Sequence, residues 1–298
     1  MARWITIAPI VSGYRNRHLF EIDLGDVKFR PIPDELKQME GIKDLGFYRI
    51  ERLKDAEVML AVEYEAESLG DPDPGWNGEE KRSKQDIALE KIMLCNLALW
   101  LAKPSPLGFE FYIHINHLDT SPLLRDAASV LVFRYDPKDA ESSLEKEDFK
   151  KAKQLYLKIK DIPRNSAIWI SMLSLIQALT SPYGNIRFML LWIALEALLG
   201  TNFELRFRIS QRIAFFLSDN REESSKLFND AKMSYGMRSC IVHGSSYKNK
   251  EDSERIGYNT EKFIRNALTK ILDNDNFIKV FNNNTERNKY LDDLVFKG

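Results

Sequence analysis

Arg238 and His243 are the residues in this chain whose types and spacing could do chemistry. They lie in "YGMRSCIVHG", residues 235 to 244, and His243 is one of four histidines among 298 residues. An arginine can bind two phosphate oxygens at once through its planar guanidinium, and a histidine can exchange a proton near neutral pH. Together they hold the parts needed for metal-free cleavage of an RNA phosphodiester. The imidazole would act as general base or acid while the ribose 2′-hydroxyl attacks, and the guanidinium would face the charge gathering on the phosphate. The sequence predicts a helix over "EESSKLFNDAKMSYGMRSCIVHG", closed by Gly244, a residue suited to a helix C-terminus. At about 100° per residue, Phe228, Ala231, Tyr235 and Val242 form one apolar stripe. Arg238 falls about 60° to one side of its centre and His243 about 80° to the other, so both should flank the buried face. His243 would occupy the last turn, where the helix dipole favours an imidazolium. A plain helix-end cap is the other reading of that histidine.

Glu196 is the next candidate. The segment "FMLLWIALEALL" is apolar on every side except there, so the carboxylate should be at least partly buried and needs a cationic or hydrogen-bonding partner. Arg206, Arg208, Arg212 and Arg238 can supply it. Glu196 either positions Arg238 or His243, or forms a core ion pair that orients helices. Arg208 and Arg212 stand one helical turn apart, placed to bind phosphate or to answer Glu196. Tyr235 joins the three arginines Arg206, Arg208 and Arg212 as an RNA-contacting candidate, and Ser239 follows Arg238 as a polar helper.

The motif Arg238, Ser239, four intervening residues in all, then His243 near a helix end resembles the signature of the HEPN superfamily. With "LLWIALEALLG" and "RFRISQRIAFFL" before it, the string looks like the ApeA-like branch. The resemblance covers residues 165 to 275 and nothing in the first 140. It implies an all-α HEPN bundle, a homodimer in which two Arg/His motifs share a cleft, and a metal-independent endoribonuclease leaving 2′,3′-cyclic phosphate ends. It also implies a prokaryotic toxin or antiphage defence effector, held back by an inhibitory or trigger partner at the N-terminal domain. Arg238, His243, Glu196 and Ser239 would form the catalytic set, with no cofactor and no metal. The alternative is a non-catalytic HEPN module that binds RNA or a protein partner.

The elements that must position these residues change character along the chain. In the first part, "VMLAVEY" (Val58, Leu60, Val62, Tyr64) and "FEFYIHI" (Phe109, Phe111, Ile113, Ile115) alternate at period two, and "VLVFRY" is a further short run. Between them "SKQDIALEKIMLCNLALWLAK" repeats at helical spacing and stops before Pro104. After about Ser142 the pattern is helical throughout: "SLEKEDFKKAKQLYLKIKD", "SAIWISMLSLIQALTS", "IRFMLLWIALEALLG", "FELRFRISQRIAFFLSD", the Arg/His helix, and a last helix from near Thr260. The expected fold class is α+β, with a mixed α/β domain over 1–140 and an all-α bundle over 141–298. The Asn-rich "FNNNTERNKY" reads as a polar turn or frayed tail.

Charge follows the same division. Residues 1–140 carry 18 Lys+Arg against 24 Asp+Glu, and residues 141–298 carry 25 against 20, so the second half has the sign that suits a polyanion. Lysines 146, 150, 151, 153, 158 and 160 read as a solvated face, or less simply as an RNA-guiding one. Gly70 and Gly75 have phosphate-loop spacing, but Trp76 and Asn77 stand where Lys and Ser/Thr are required. His114 and His117, three apart on a strand, point to opposite faces and cannot share a metal without a bulge. Cys95 and Cys240 form no CxxC or zinc spacing, which fits a reducing cytosol. No export signal or membrane span is expected, and the expected location is cytoplasmic.

Overall fold

The computed structural model describes residues 2–10, 21–66, 83–105, 107–116, 123–125, 131–132, 144–201, 205–245 and 250–296. Gly70, Gly75, Trp76 and Asn77 of the rejected phosphate-loop match, and also His117, lie outside these. The chain divides into two compact units, Met1–Lys160 and Asp161–Gly298. This boundary falls later than the position expected at 140, because the lysine-rich helix packs on the first unit.

The first unit runs β1 (Ala2–Ile10), β2 (Ile22–Asp23), β3 (Lys28–Pro31), α1 (Asp34–Lys37), a 3₁₀ turn (Glu40–Leu45), α2 (Phe47–Asp55), β4 (Val58–Ala66), α3 (Lys84–Ala102), β5 (Gly108–Phe109), β6 (Tyr112–Asn116), β7 (Leu123–Arg125), β8 (Leu131–Val132) and α4 (Lys146–Ile159). Six strands form an antiparallel sheet in the order β2-β3-β4-β1-β6-β7, and β5 pairs with β8 separately. β4 is buried on both sides over its first five residues. Met59 and Ala61 face a core of Ile5, Ile7, Ile42, Leu53, Phe111, Ile113 and Ile115. α3 starts at a capping box, in which the Ser83 hydroxyl accepts from the Asp86 N–H and the Asp86 carboxylate accepts from the Ser83 N–H. Packed on α3, α4 places its Tyr156 hydroxyl 2.7 Å from Asp26, which Lys91 also holds at 2.7 Å. Two of its lysines pair with this unit's acids, Lys153 with Asp23 at 3.7 Å and Lys150 with Glu147 at 2.6 Å. His114 is a core residue, 1 % exposed, with Nδ1 at 2.6 Å from the Thr6 hydroxyl.

The described part of the second unit is helical: α5 (Ala167–Thr180), α6 (Gly184–Leu199), α7 (Leu205–Leu217), α8 (Arg221–Val242), α9 (Lys250–Leu272), α10 (Asp275–Asn282), α11 (Asn284–Asp293) and a final 3₁₀ turn (Leu294–Phe296). α9 begins ten residues before the expected Thr260. The Asn-rich stretch is two helices rather than a turn or frayed tail, because the Asn283 side chain accepts from the Thr285 and Glu286 N–H groups and starts α11. α5 pairs with α6 and α7 with α8, while α9 touches α6, α7 and α8. Inside this core the Trp192 indole N–H of α6 donates to the Ser234 hydroxyl of α8 at 3.1 Å. Ser234 lies 2.5 Å from the Thr260 hydroxyl of α9, which donates to the Ile256 carbonyl at 2.7 Å. Three helices are thereby joined through buried hydroxyls, each with a partner. Among the described residues no helix is long and apolar enough to cross a membrane.

Candidate functional site

α8 starts where Asn220 accepts from the Glu223 N–H at 2.9 Å, and it carries Glu222 and Glu223 in its first turn, next to the positive end of the helix dipole. Its other end is a Schellman motif. Gly244 has φ +69°, its N–H bonds the Ile241 carbonyl at 3.1 Å, and the Ser245 N–H bonds the Cys240 carbonyl at 2.9 Å. His243 is therefore the C-cap, one position beyond the last helical residue, and its side chain is exposed. The backbone ties close the helix without help from the imidazole, which is left available to solvent.

The buried face of α8 differs from the expected stripe. Ser224, Ala231, Ser234 and Met237 are buried, Tyr235 is half-buried, and Val242 is 47 % exposed. Two serines enter the core because the chain of hydroxyls satisfies Ser234 there, which an apolar count along the sequence cannot anticipate. The change rotates the face toward Arg238, which is half-buried, and away from His243. Five residues apart on a helix, the two side chains diverge by about 140°.

Glu196 meets Arg238 among its four possible partners. The Arg238 Nη2 and Glu196 Oε1 atoms are 3.3 Å apart, with each side chain about one quarter exposed (23 % and 26 %). This is an ion-pair distance without hydrogen-bond alignment, since Glu196 Oε1 and Arg238 Nε both lack a hydrogen-bond partner. Burial raises the Glu196 carboxyl above its ordinary pKa, and the Arg238 charge only partly opposes that. The guanidinium also lies over the Tyr235 ring at 5.5 Å, and Tyr235 in turn meets Trp192 edge to face at 5.2 Å. Arg238 is thus aimed by a carboxylate and an aromatic ring, and its Nε is buried without a partner. Ser239 is half-buried on the next position.

The remaining arginines separate. Arg212 is a correction to the RNA-contact set: its side chain is 4 % exposed, and its guanidinium donates to the Leu199 carbonyl at 3.2 Å, to the Gly200 carbonyl, to Asn288 at 3.3 Å and to Asp292 at 2.9 Å. It fastens the C-terminal end of α6. Gly200 belongs to the same device, because a Cβ there would come within 2.3 Å of the Glu196 carbonyl oxygen. Arg208 is on the surface and reaches Asp292 at 3.8 Å. Arg206 is exposed, with one terminal nitrogen 3.9 Å from where a Cβ on Gly236 would stand. A glycine inside a helix costs about 1 kcal/mol against alanine, and at Gly236 it leaves room for this guanidinium. Leu205, Arg206 and Phe207 of α7 line a shallow groove with Tyr235. Sequence reasoning missed Phe207, which is 52 % exposed and meets Phe228 edge to face at 5.5 Å, although an aromatic between two arginines was a visible signal.

Among the described residues no group of three or more His, Cys, Asp or Glu converges as a metal ion would require. Compared with protein-family models, curated proteins and solved structures, the chain matches none.

Proposed function

We propose that this protein is a metal-independent endoribonuclease of HEPN type acting as a homodimer, in which the ribose 2′-hydroxyl attacks the adjacent phosphate and a 2′,3′-cyclic phosphate is left. The observation that carries the reading is an arginine oriented by Glu196 and Tyr235 on the same helix as an exposed histidine whose helix end is already closed by backbone bonds. Arg238 stabilises charge on the phosphorane-like transition state, and His243 takes or gives the proton. Glu196 positions Arg238. The divergence of Arg238 and His243 on one helix favours a shared cleft, in which the arginine of one copy works with the histidine of the other. Two exposed apolar residues beside the ion pair suit such an interface: Ile193, three residues before Glu196, is 43 % exposed, and Val242, four after Arg238, is 47 % exposed. The setting that fits is a prokaryotic cytoplasmic toxin or antiphage effector, with the first unit receiving the restraining or triggering partner.

The second reading, a non-catalytic module binding RNA or a partner, draws on the Arg238–Glu196 contact, which would orient α6 against α8 whether or not RNA is cut. Incubating total RNA with the protein and with its His243→Ala variant, both in EDTA, separates the two. The enzyme reading expects cleavage with cyclic-phosphate ends that falls by about 10²- to 10⁴-fold in the variant. Equal cleavage by both, or cleavage that needs added magnesium, would overturn it.

A further inference from the structure

We infer that the groove of Leu205, Arg206, Phe207 and Tyr235 is a nucleobase-stacking subsite that selects single-stranded RNA. This rests on the ribonuclease reading for its substrate and adds which form of RNA is taken. Phe207 exposes half of its surface in this groove, next to Tyr235. Its edge-to-face contact with Phe228 holds the ring in one orientation, and Tyr235 stands at the other side of the groove beneath Arg238. A shallow groove that carries two aromatic side chains offers an unpaired base a ring to stack on, because every base presents a π-face.

The charges fit the same ligand. None of the groove residues is acidic. Arg206 lies over Gly236 on one side, Arg238 over Tyr235 on the other, and Lys232 sits 5.3 Å from the Phe228 ring. Rings and cations therefore alternate along α8, which is what a backbone-tracking, base-stacking surface for a single strand requires. Gly236 and His243 are seven residues apart, so they share a helix face about 10 Å apart along the axis. A base held in the groove belongs to a nucleotide close to the bond that His243 serves. An A-form duplex keeps its bases stacked and paired, and its wide minor groove offers 2′-hydroxyls and phosphates but no π-face to Phe207.

The test measures binding apart from cleavage, in the full-length His243→Ala protein, with a fluorescent 12-nucleotide RNA presented single-stranded or annealed to its complement. The single strand should bind at least tenfold more tightly. Adding Phe207→Ala should weaken the single strand about five- to hundredfold with duplex binding unchanged and the protein still folded at the assay temperature. Arg206→Ala should weaken binding and lower the salt slope by about 0.7, the loss of one single-strand phosphate contact. Gly236→Leu should mimic Arg206→Ala, whereas Gly236→Ala should bind like its parent. Equal affinity for single strand and duplex, or a Phe207→Ala variant that binds like its parent, overturns the subsite. The two readings fail separately: single-strand binding that depends on Phe207 without any cleavage by the parental protein keeps the subsite and removes the nuclease. Cleavage by a Phe207→Ala variant at the parental rate keeps the nuclease and removes the subsite.

Discussion

Replacing Arg238 with alanine tests whether the Arg238–Glu196 contact exists for catalysis or for folding, because the two roles predict losses of different size. The structural cost can be built from the contacts. A partly exposed ion pair contributes about 0.2–1 kcal/mol, and a guanidinium over a tyrosine ring about 0.5–1 kcal/mol. Losing both removes roughly 1–2 kcal/mol, and Glu196 stays partly hydrated at 26 % exposure, so no fully buried charge is stranded. For a domain of this size that lowers the melting temperature by about 3–10 °C. If the parent is stable by only about 5 kcal/mol, at least 3 kcal/mol remain, and more than about 99 % of the molecules stay folded at 25 °C. Lost folding therefore cannot account for more than a few per cent of lost activity. Removal of a group that stabilises transition-state charge costs about 10²- to 10³-fold, far outside that margin. The assay is initial-rate cleavage of a fluorogenic single-stranded RNA at 25 °C, beside thermal unfolding of the same preparation. Arg238→Lys should retain the melting temperature and recover little of the rate, since an ammonium lacks the planar two-point donor. An Arg238→Ala variant that cleaves within about threefold of the parent would refute the catalytic role, and one that is unfolded at 25 °C would refute the energetic estimate.

Arg212→Ala should behave in the opposite way, losing about 1–3 kcal/mol of stability because it leaves the last carbonyls of α6 without their donor, with chemical denaturation as the measure and a loss under about 0.5 kcal/mol as the contrary result. Glu196→Gln tests the raised carboxyl pKa: the native state holds that proton more firmly than the unfolded chain, so the parent's stability is full below the ordinary value of 4.5 and declines as pH rises through the folded one. The variant should therefore gain stability relative to the parent as pH rises above about 4.5 in urea titrations, and a gap that is constant or closes would contradict the shift. Gly244→Ala, forced into a left-handed conformation, should destabilise by about 1–2 kcal/mol in thermal unfolding while the exposed His243 keeps its chemistry. Light scattering should give twice the 34.6 kDa chain mass, and a strict monomer that still cuts RNA would remove the shared cleft.

The helices of the second unit were legible because their signals are local. Ser166 and Asn220 stand where caps are needed, and apolar residues recur at three and four. α3 was legible for the same reason. β1 was not: Pro9 interrupts its alternation, and the strand tolerates it because the ladder to β6 ends at Ile7, a fact of tertiary pairing. α4 looked like a member of the helical bundle because helix propensity says nothing about which neighbour a helix chooses. At the site, Glu196 was visible as a lone acid in an apolar helix, but four arginines could have answered it and only packing selected Arg238. Arg212 read as a phosphate contact or a partner for Glu196, and its burial depends on carbonyls at a helix end and an acid in α11 that no spacing connects to it. The stripe on α8 was misplaced for a related reason, since a serine enters a core only where a partner hydroxyl waits for it.

That hydroxyl chain also fixes the azimuth of α8. Slipping the helix by one residue would turn it by about 100°, pull Ser234 away from Trp192 and Thr260, and carry Arg238 out of line with Glu196. Three buried polar groups would lose partners in one movement, so rotational settings between the observed one and an unfolded one are suppressed. α8 is a fixed mount. The solvent side of His243 can be covered or uncovered while the helix itself keeps a single bearing.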